Sequence, residues 1–174
     1  MVPISSVHRS QRKFWIKISR QIDEPTQKIG ISMAINMKQM AKQLELHEGL
    51  RLNPYYCTAG KLTIGIGRNL ESNGISKAEA YFMLENDLIR LVAELDDQIP
   101  WWRDLSETRR RVLVDMAFNL GTFGLMKFKN TLAAIQGGDY ATAAQEMLDS
   151  RWAEQVGQRA KTLASAMETD VMDI

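Results

Sequence analysis

The stretch that decides the fold reads HEGLRLNPYYCTAGKLTIGIGR, from His47 to Arg68. Gly49, Pro54, Gly60, Gly65 and Gly67 punctuate it, and the short runs between them are rich in Tyr, Thr and Ile. Glycine and proline interrupt regular structure, whereas β-branched and aromatic side chains suit a pleated surface, so the spacing predicts a small β-hairpin or three-stranded sheet. Three polar residues stand out within it. Glu48 precedes a glycine, Cys57 follows nine residues later, and Thr63 comes six beyond that on a predicted strand.

Outward from this stretch the pattern turns helical. Met37, Met40, Ala41 and Leu44 recur at three- and four-residue intervals, predicting an amphipathic helix from Met33 to about His47. On the other side, Ser76 and Glu79 have capping-box spacing, and Tyr81, Leu84, Leu88, Leu91 and Leu95 form the apolar stripe of a long helix ended by Pro100. Ser106 is a cap for a second helix whose buried stretch is Val112, Val114, Met116, Ala117 and Leu120, with Gly121 as its stop. Breaks at Gly124, Gly137 to Gly138 and Gly157 divide the remainder into short helical pieces. The expected architecture is α+β: a small β-sheet lobe, a larger helical lobe, and a cleft at their junction.

The chain has 174 residues, 45% hydrophobic and 25% charged, which fits one ordinary globular domain and includes no apolar run long enough to span a bilayer. One cysteine excludes an intramolecular disulfide. Cys57 with His8 and His47 has no metal-ligand spacing, so neither metal nor cofactor is expected. The formal charge of +1 conceals an asymmetry, because residues 1–32 carry six basic side chains against Asp23 and Glu24, a net of +4, leaving −3 for 33–174. The expected organisation is therefore a basic extension over 1–32 and one folded domain over 33–174. Nucleic acid is not an expected partner of so weakly acidic a domain. The extension lacks the apolar core of a secretory signal, and its mixture of Arg and Lys with Phe14 and Trp15 suits an anionic membrane or lipopolysaccharide. An unstructured leader, or a true start at Met33, is the plainer reading.

With "EGLRL" at 48–52 and "TIGIG" at 63–67, and with Glu48, Cys57 and Thr63 in that order, the sequence resembles the T-even phage lysozyme family, glycoside hydrolase family 24. The resemblance continues through "RRRVLVDMAFNLG" (109–121), "KFKNTL" (127–132) and "SRWAEQVGQRA" (150–160), covering roughly Met33 to Glu168. It implies a lysozyme-like fold. It also implies a monomeric, cofactor-free muramidase that cleaves peptidoglycan between N-acetylmuramic acid and N-acetylglucosamine. Such an enzyme would lyse a phage or prophage host, acting from the host cytoplasm after release to the cell wall. Alternatives are a lytic transglycosylase acting on the same bond and a non-catalytic wall-binding module.

By the same resemblance Glu48 is the general acid, while Cys57 and Thr63 hold the attacking water on the opposite face of the sugar. Glycoside hydrolysis by inversion needs a proton donor on one side and a held water on the other. Cys57 departs from the best-known members, which carry Asp there. A thiol replaces that carboxylate as a base only when ionised, and an ordinary cysteine titrates near pH ~8.5. A buried cysteine acting as a small hydrophobe, a surface carboxylate at a helix end and an ordinary strand threonine are the plain readings of the three. The resemblance further implies that Arg159 pairs with the catalytic glutamate, that Asn119 and Thr131 contact the glycan, and that Phe118 walls the cleft.

Overall fold

The computed structural model describes residues 35–172, so the basic extension lies outside the described residues. The chain divides between Gly74 and Ile75 into two compact units.

The first unit opens with α1 (Met37–Glu48). Asn36 caps it by accepting the Gln39 N–H at 3.1 Å. Gly49 ends it at φ +73°, donating its N–H to the Glu45 carbonyl at 2.9 Å. The apolar stripe expected on this helix is present but not buried: Met37 is 54% and Leu44 41% exposed. Among the described residues of this unit, only Thr63 is buried. So short a stretch of chain cannot enclose a core of its own.

Three antiparallel strands follow in the order β1 (Arg51–Tyr56), β2 (Leu62–Gly65) and β3 (Arg68–Asn69). Tyr55 pairs with Thr63 and Tyr56 with Leu62, while the ladder is irregular between Arg51 and Tyr55. Pro54, which has no N–H to donate, sits in that irregular segment of an edge strand. The turn joining β1 to β2 is closed by Cys57 N–H to Lys61 carbonyl at 3.0 Å and Gly60 N–H to Cys57 carbonyl at 2.8 Å. The turn joining β2 to β3 places Gly65 and Gly67 at φ +67° and +72°, a region that other residues enter only with strain. A single helical turn, α2 (Leu70–Asn73), completes the unit.

The second unit is helical. Its first helix, α3 (Lys77–Gln98), begins with the expected capping box and gives way to a 3₁₀ turn at Pro100–Asp104. The predicted stripe is buried only in its second half: Leu95 is fully and Leu91 almost fully buried, whereas Tyr81 is 61% exposed. Helix α4 (Glu107–Leu120) starts at the Ser106 cap and stops at Gly121. Its buried face is Val112, Leu113, Met116 and Ala117, so Leu113 joins the core while Val114 and Leu120 are half-buried.

The remaining helices are α5 (Thr122–Leu125), α6 (Lys129–Gln136), α7 (Tyr140–Leu148), α8 (Arg151–Val156) and α9 (Gln158–Thr169). Gly124, expected as a break, lies inside α5. A Cβ there would come within 2.9 Å of the Leu120 Cβ, so close packing and not termination explains this glycine. A break with no glycine falls before α8, where Ser150 accepts the Ala153 N–H at 3.1 Å.

The end of α9 is fastened to the start of α4 by Arg109. Its Nε donates to the Met167 carbonyl at 2.8 Å and its Nη2 to the Glu168 carbonyl at 3.2 Å, while its Nη1 lies 3.3 Å from Asp170. The guanidinium lies over the Tyr140 ring at 3.6 Å. Arg109→Ala is expected to destabilise the protein by about 2 kcal/mol, since charge-assisted bonds to helix-end carbonyls and a cation–π contact are lost together. Arg109→Lys recovers little of this, lacking the planar fork. Urea midpoints of the two variants check the expectation.

Candidate active site

Glu48 is the last residue of α1, and it is exposed. The glycine that follows lets the chain turn at once into β1, carrying the strands back past the end of the helix. The β2–β3 turn meets the carboxylate: a Cβ on Gly67 would lie 3.2 Å from Glu48 Oε2 and 3.6 Å from its Cδ and Cγ. Gly65, two residues earlier in the same turn, has nothing within 4 Å of such a Cβ.

Cys57 and Thr63 are brought together by the register. Tyr55 and Thr63 are opposite one another, so Cys57, two residues beyond Tyr55, is the diagonal neighbour of Thr63 on the same face. One carbonyl serves both residues. The Lys61 carbonyl accepts the Cys57 N–H at 3.0 Å and the Thr63 hydroxyl at 2.9 Å. The Cys57 thiol is held below its ordinary range, first by hydrogen bonding to the Lys61 backbone, then to the Ala59 backbone and the Thr63 side chain, against an opposing desolvation. Because the Thr63 hydroxyl proton is already donated to Lys61, the two backbone amides are the dominant cause. Thr63 is 3% exposed, and its hydroxyl oxygen retains acceptor capacity after that donation.

The other expected residues lie in the helical unit. Asn119 is exposed at the end of α4, and its Oδ1 accepts the Trp152 indole N–H at 2.9 Å. Thr131 is 2% exposed and lies in the wall of a groove of about 830 Å³, with Phe128, Asn130, Glu146, Ser150 and Trp152 among its other lining residues. Phe118 is 47% exposed. Arg159 donates from Nε to Asp115 at 2.9 Å within this unit. Sequence reasoning did not single out Lys61, Gly67 or Trp152. Lys61 acts through its carbonyl and Gly67 through a missing side chain, neither of which residue type announces. Trp152 sits within the quoted block at 150–160.

A glutamate-ended helix, a three-stranded antiparallel sheet and a following helical unit define an α+β fold of the lysozyme-like class. The family model for phage lysozyme matches residues 45–168, and the chain belongs to that family, a family of glycoside hydrolases. It is 30% identical to the pre-baseplate central spike protein of Enterobacteria phage T4 over 84% of this chain, and spans 30% of that protein's length. A probable T4-type lysozyme of Dictyostelium discoideum is 26% identical, over 80% of this chain and 98% of its own. An endolysin of Acyrthosiphon pisum secondary endosymbiont phage 1 is 29% identical, over 67% and 80% respectively.

Proposed function

We propose that this chain hydrolyses peptidoglycan at the β-1,4 bond between N-acetylmuramic acid and N-acetylglucosamine, with inversion, to lyse the host of a phage. The observation that carries the reading is the pairing of Cys57 and Thr63 on one face of the sheet, sharing the Lys61 carbonyl, in a chain of the phage lysozyme family. Glu48 gives its proton to the glycosidic oxygen as the bond breaks. The attacking water donates one hydrogen bond to the Thr63 hydroxyl oxygen, whose own proton is committed to Lys61, and turns its lone pair toward the anomeric carbon. The Cys57 thiolate accepts the other proton. A base must be deprotonated to act, and the amides that favour the thiolate supply that state at a lower pH than a free thiol would.

In the helical unit, Asn119 and the groove beside Thr131 are assigned to binding the polymer, and Phe118 to offering an apolar wall to a sugar ring. The membrane-directed role of residues 1–32 stands as part of the same proposal. The test of the reaction is mass analysis of muropeptides released from purified sacculi. Reducing ends support hydrolysis, 1,6-anhydro ends show transglycosylation instead, and sedimentation with sacculi without release shows a binding module.

The contact between Gly67 and Glu48 yields a further expectation. In Gly67→Ala the methyl group would meet Oε2 at 3.2 Å and push the exposed carboxylate aside, so kcat is expected to fall about tenfold with KM little changed. Gly65→Ala carries the same left-handed backbone cost without that contact, and should lose comparable thermal stability while keeping kcat. Equal kcat in the two variants would remove Gly67 from the site.

A further inference from the structure

We propose that Glu71 is a positioning residue for Cys57 and Thr63, acting through the peptide plane that joins Lys61 to Leu62. The inference rests on the reading of Cys57 and Thr63 given above. Glu71, in the first turn of α2, accepts the Leu62 N–H on Oε1 at 3.0 Å and the Lys61 ammonium on Oε2 at 3.0 Å. The Leu62 N–H and the Lys61 carbonyl belong to one peptide group. A carboxylate therefore holds its donor end, while Cys57 N–H and Thr63 hydroxyl both bond to its acceptor end. The plane is fixed at both ends, and both proposed water-holding residues hang from it.

Two consequences follow from elementary physics. A peptide whose N–H is bonded to an anion is polarised, and its carbonyl becomes the better acceptor, so the bonds to Cys57 and Thr63 strengthen together. In addition, the foremost hydrogen bond lowering the Cys57 thiol comes from the Lys61 backbone, whose N–H belongs to the neighbouring Gly60–Lys61 peptide, so a Lys61 no longer anchored at its carbonyl side loosens that bond as well. Among the described residues, Arg68 on β3 donates its Nε to the Gly74 carbonyl at 2.7 Å, and Lys61 forms an ion pair with Glu71 on α2 at this turn. Of these, Glu71 is the one that bonds to the Lys61–Leu62 peptide group.

The test uses the full-length protein and its Glu71→Ala and Glu71→Gln variants, with two readouts. The first is the pH dependence of Cys57 alkylation by iodoacetamide, followed by mass. The second is kcat and KM on purified peptidoglycan. Glu71→Ala should move the alkylation midpoint to higher pH and lower kcat about tenfold with KM held. Glu71→Gln keeps a neutral acceptor for the Leu62 N–H and should shift both in the same direction by less. A wild-type alkylation midpoint in Glu71→Ala overturns the proposal. If Glu71→Ala does not fold, an unshifted midpoint in Glu71→Gln overturns it equally. Alkylation does not depend on turnover, so failure of the role given to Cys57 shows separately, as full activity in Cys57→Ala.

Discussion

Glu48→Gln is expected to abolish hydrolysis of purified sacculi, with a loss of about 10²–10⁴ in kcat, the range usual for removing a general acid. The amide has the carboxyl group's shape and keeps an oxygen, so contact with the β2–β3 turn at Gly67 survives the change. Glu48 is exposed, so the substitution leaves no buried polar group unsatisfied, and the thermal midpoint should stay close to wild type. Sedimentation of the variant with sacculi should also persist, because the binding residues proposed in the helical unit are untouched. Folded, wall-binding and inactive is the required combination. Near-normal turnover would remove Glu48 from the reaction, and with it the reading of the whole site.

The parts of this fold that were legible in the sequence are those where a local rule acts alone. Ser76 with Glu79 announced a capping box, Gly121 a helix stop, and the Gly-punctuated Tyr, Thr and Ile runs a β-hairpin or three-stranded sheet, of which the second is present. Where tertiary packing decides, the reading slipped. Leu113 is fully buried although it was absent from the expected stripe of α4, because that helix is covered on more than one side and its buried arc is wider than one stripe. Gly124 looked like a break because sequence does not show the approach of Leu120. At the proposed site, Glu48, Cys57 and Thr63 stand out in the sequence as polar residues of the opening stretch, and their proposed roles come from the family resemblance. The groups that hold them do not stand out: the Lys61 carbonyl is backbone, Gly67 contributes an absence, and Glu71 sits in a four-residue helix too short for any periodicity to mark it.

Cys57→Ala is expected to lose about 10² in kcat, since the base or anchor for the attacking water disappears while the Lys61 carbonyl still accepts the backbone N–H of residue 57. The turn is therefore retained, and a loss of activity reads chemistry and not collapse. Cys57→Asp should remain active. The pH profile of that variant separates two roles for the thiol. If the thiolate is the base, the acid limb of kcat/KM reports its titration, and the sign is fixed: activity is lost as pH falls through the pKa of the deprotonated group. An ordinary aspartate titrates near pH ~3.9 and an ordinary cysteine near ~8.5, so the acid limb of Cys57→Asp should move to lower pH. If the thiol only places water as a neutral hydrogen-bonding group, wild type and Cys57→Asp share the limb set by other residues. Cys57→Ser then becomes the informative third variant, because a hydroxyl can place a water but does not ionise in this range. A serine variant as active as wild type, with an unshifted acid limb in the aspartate variant, would leave Cys57 an anchor and exclude it as a base. Wild-type activity in Cys57→Ala would strike the residue from the site altogether.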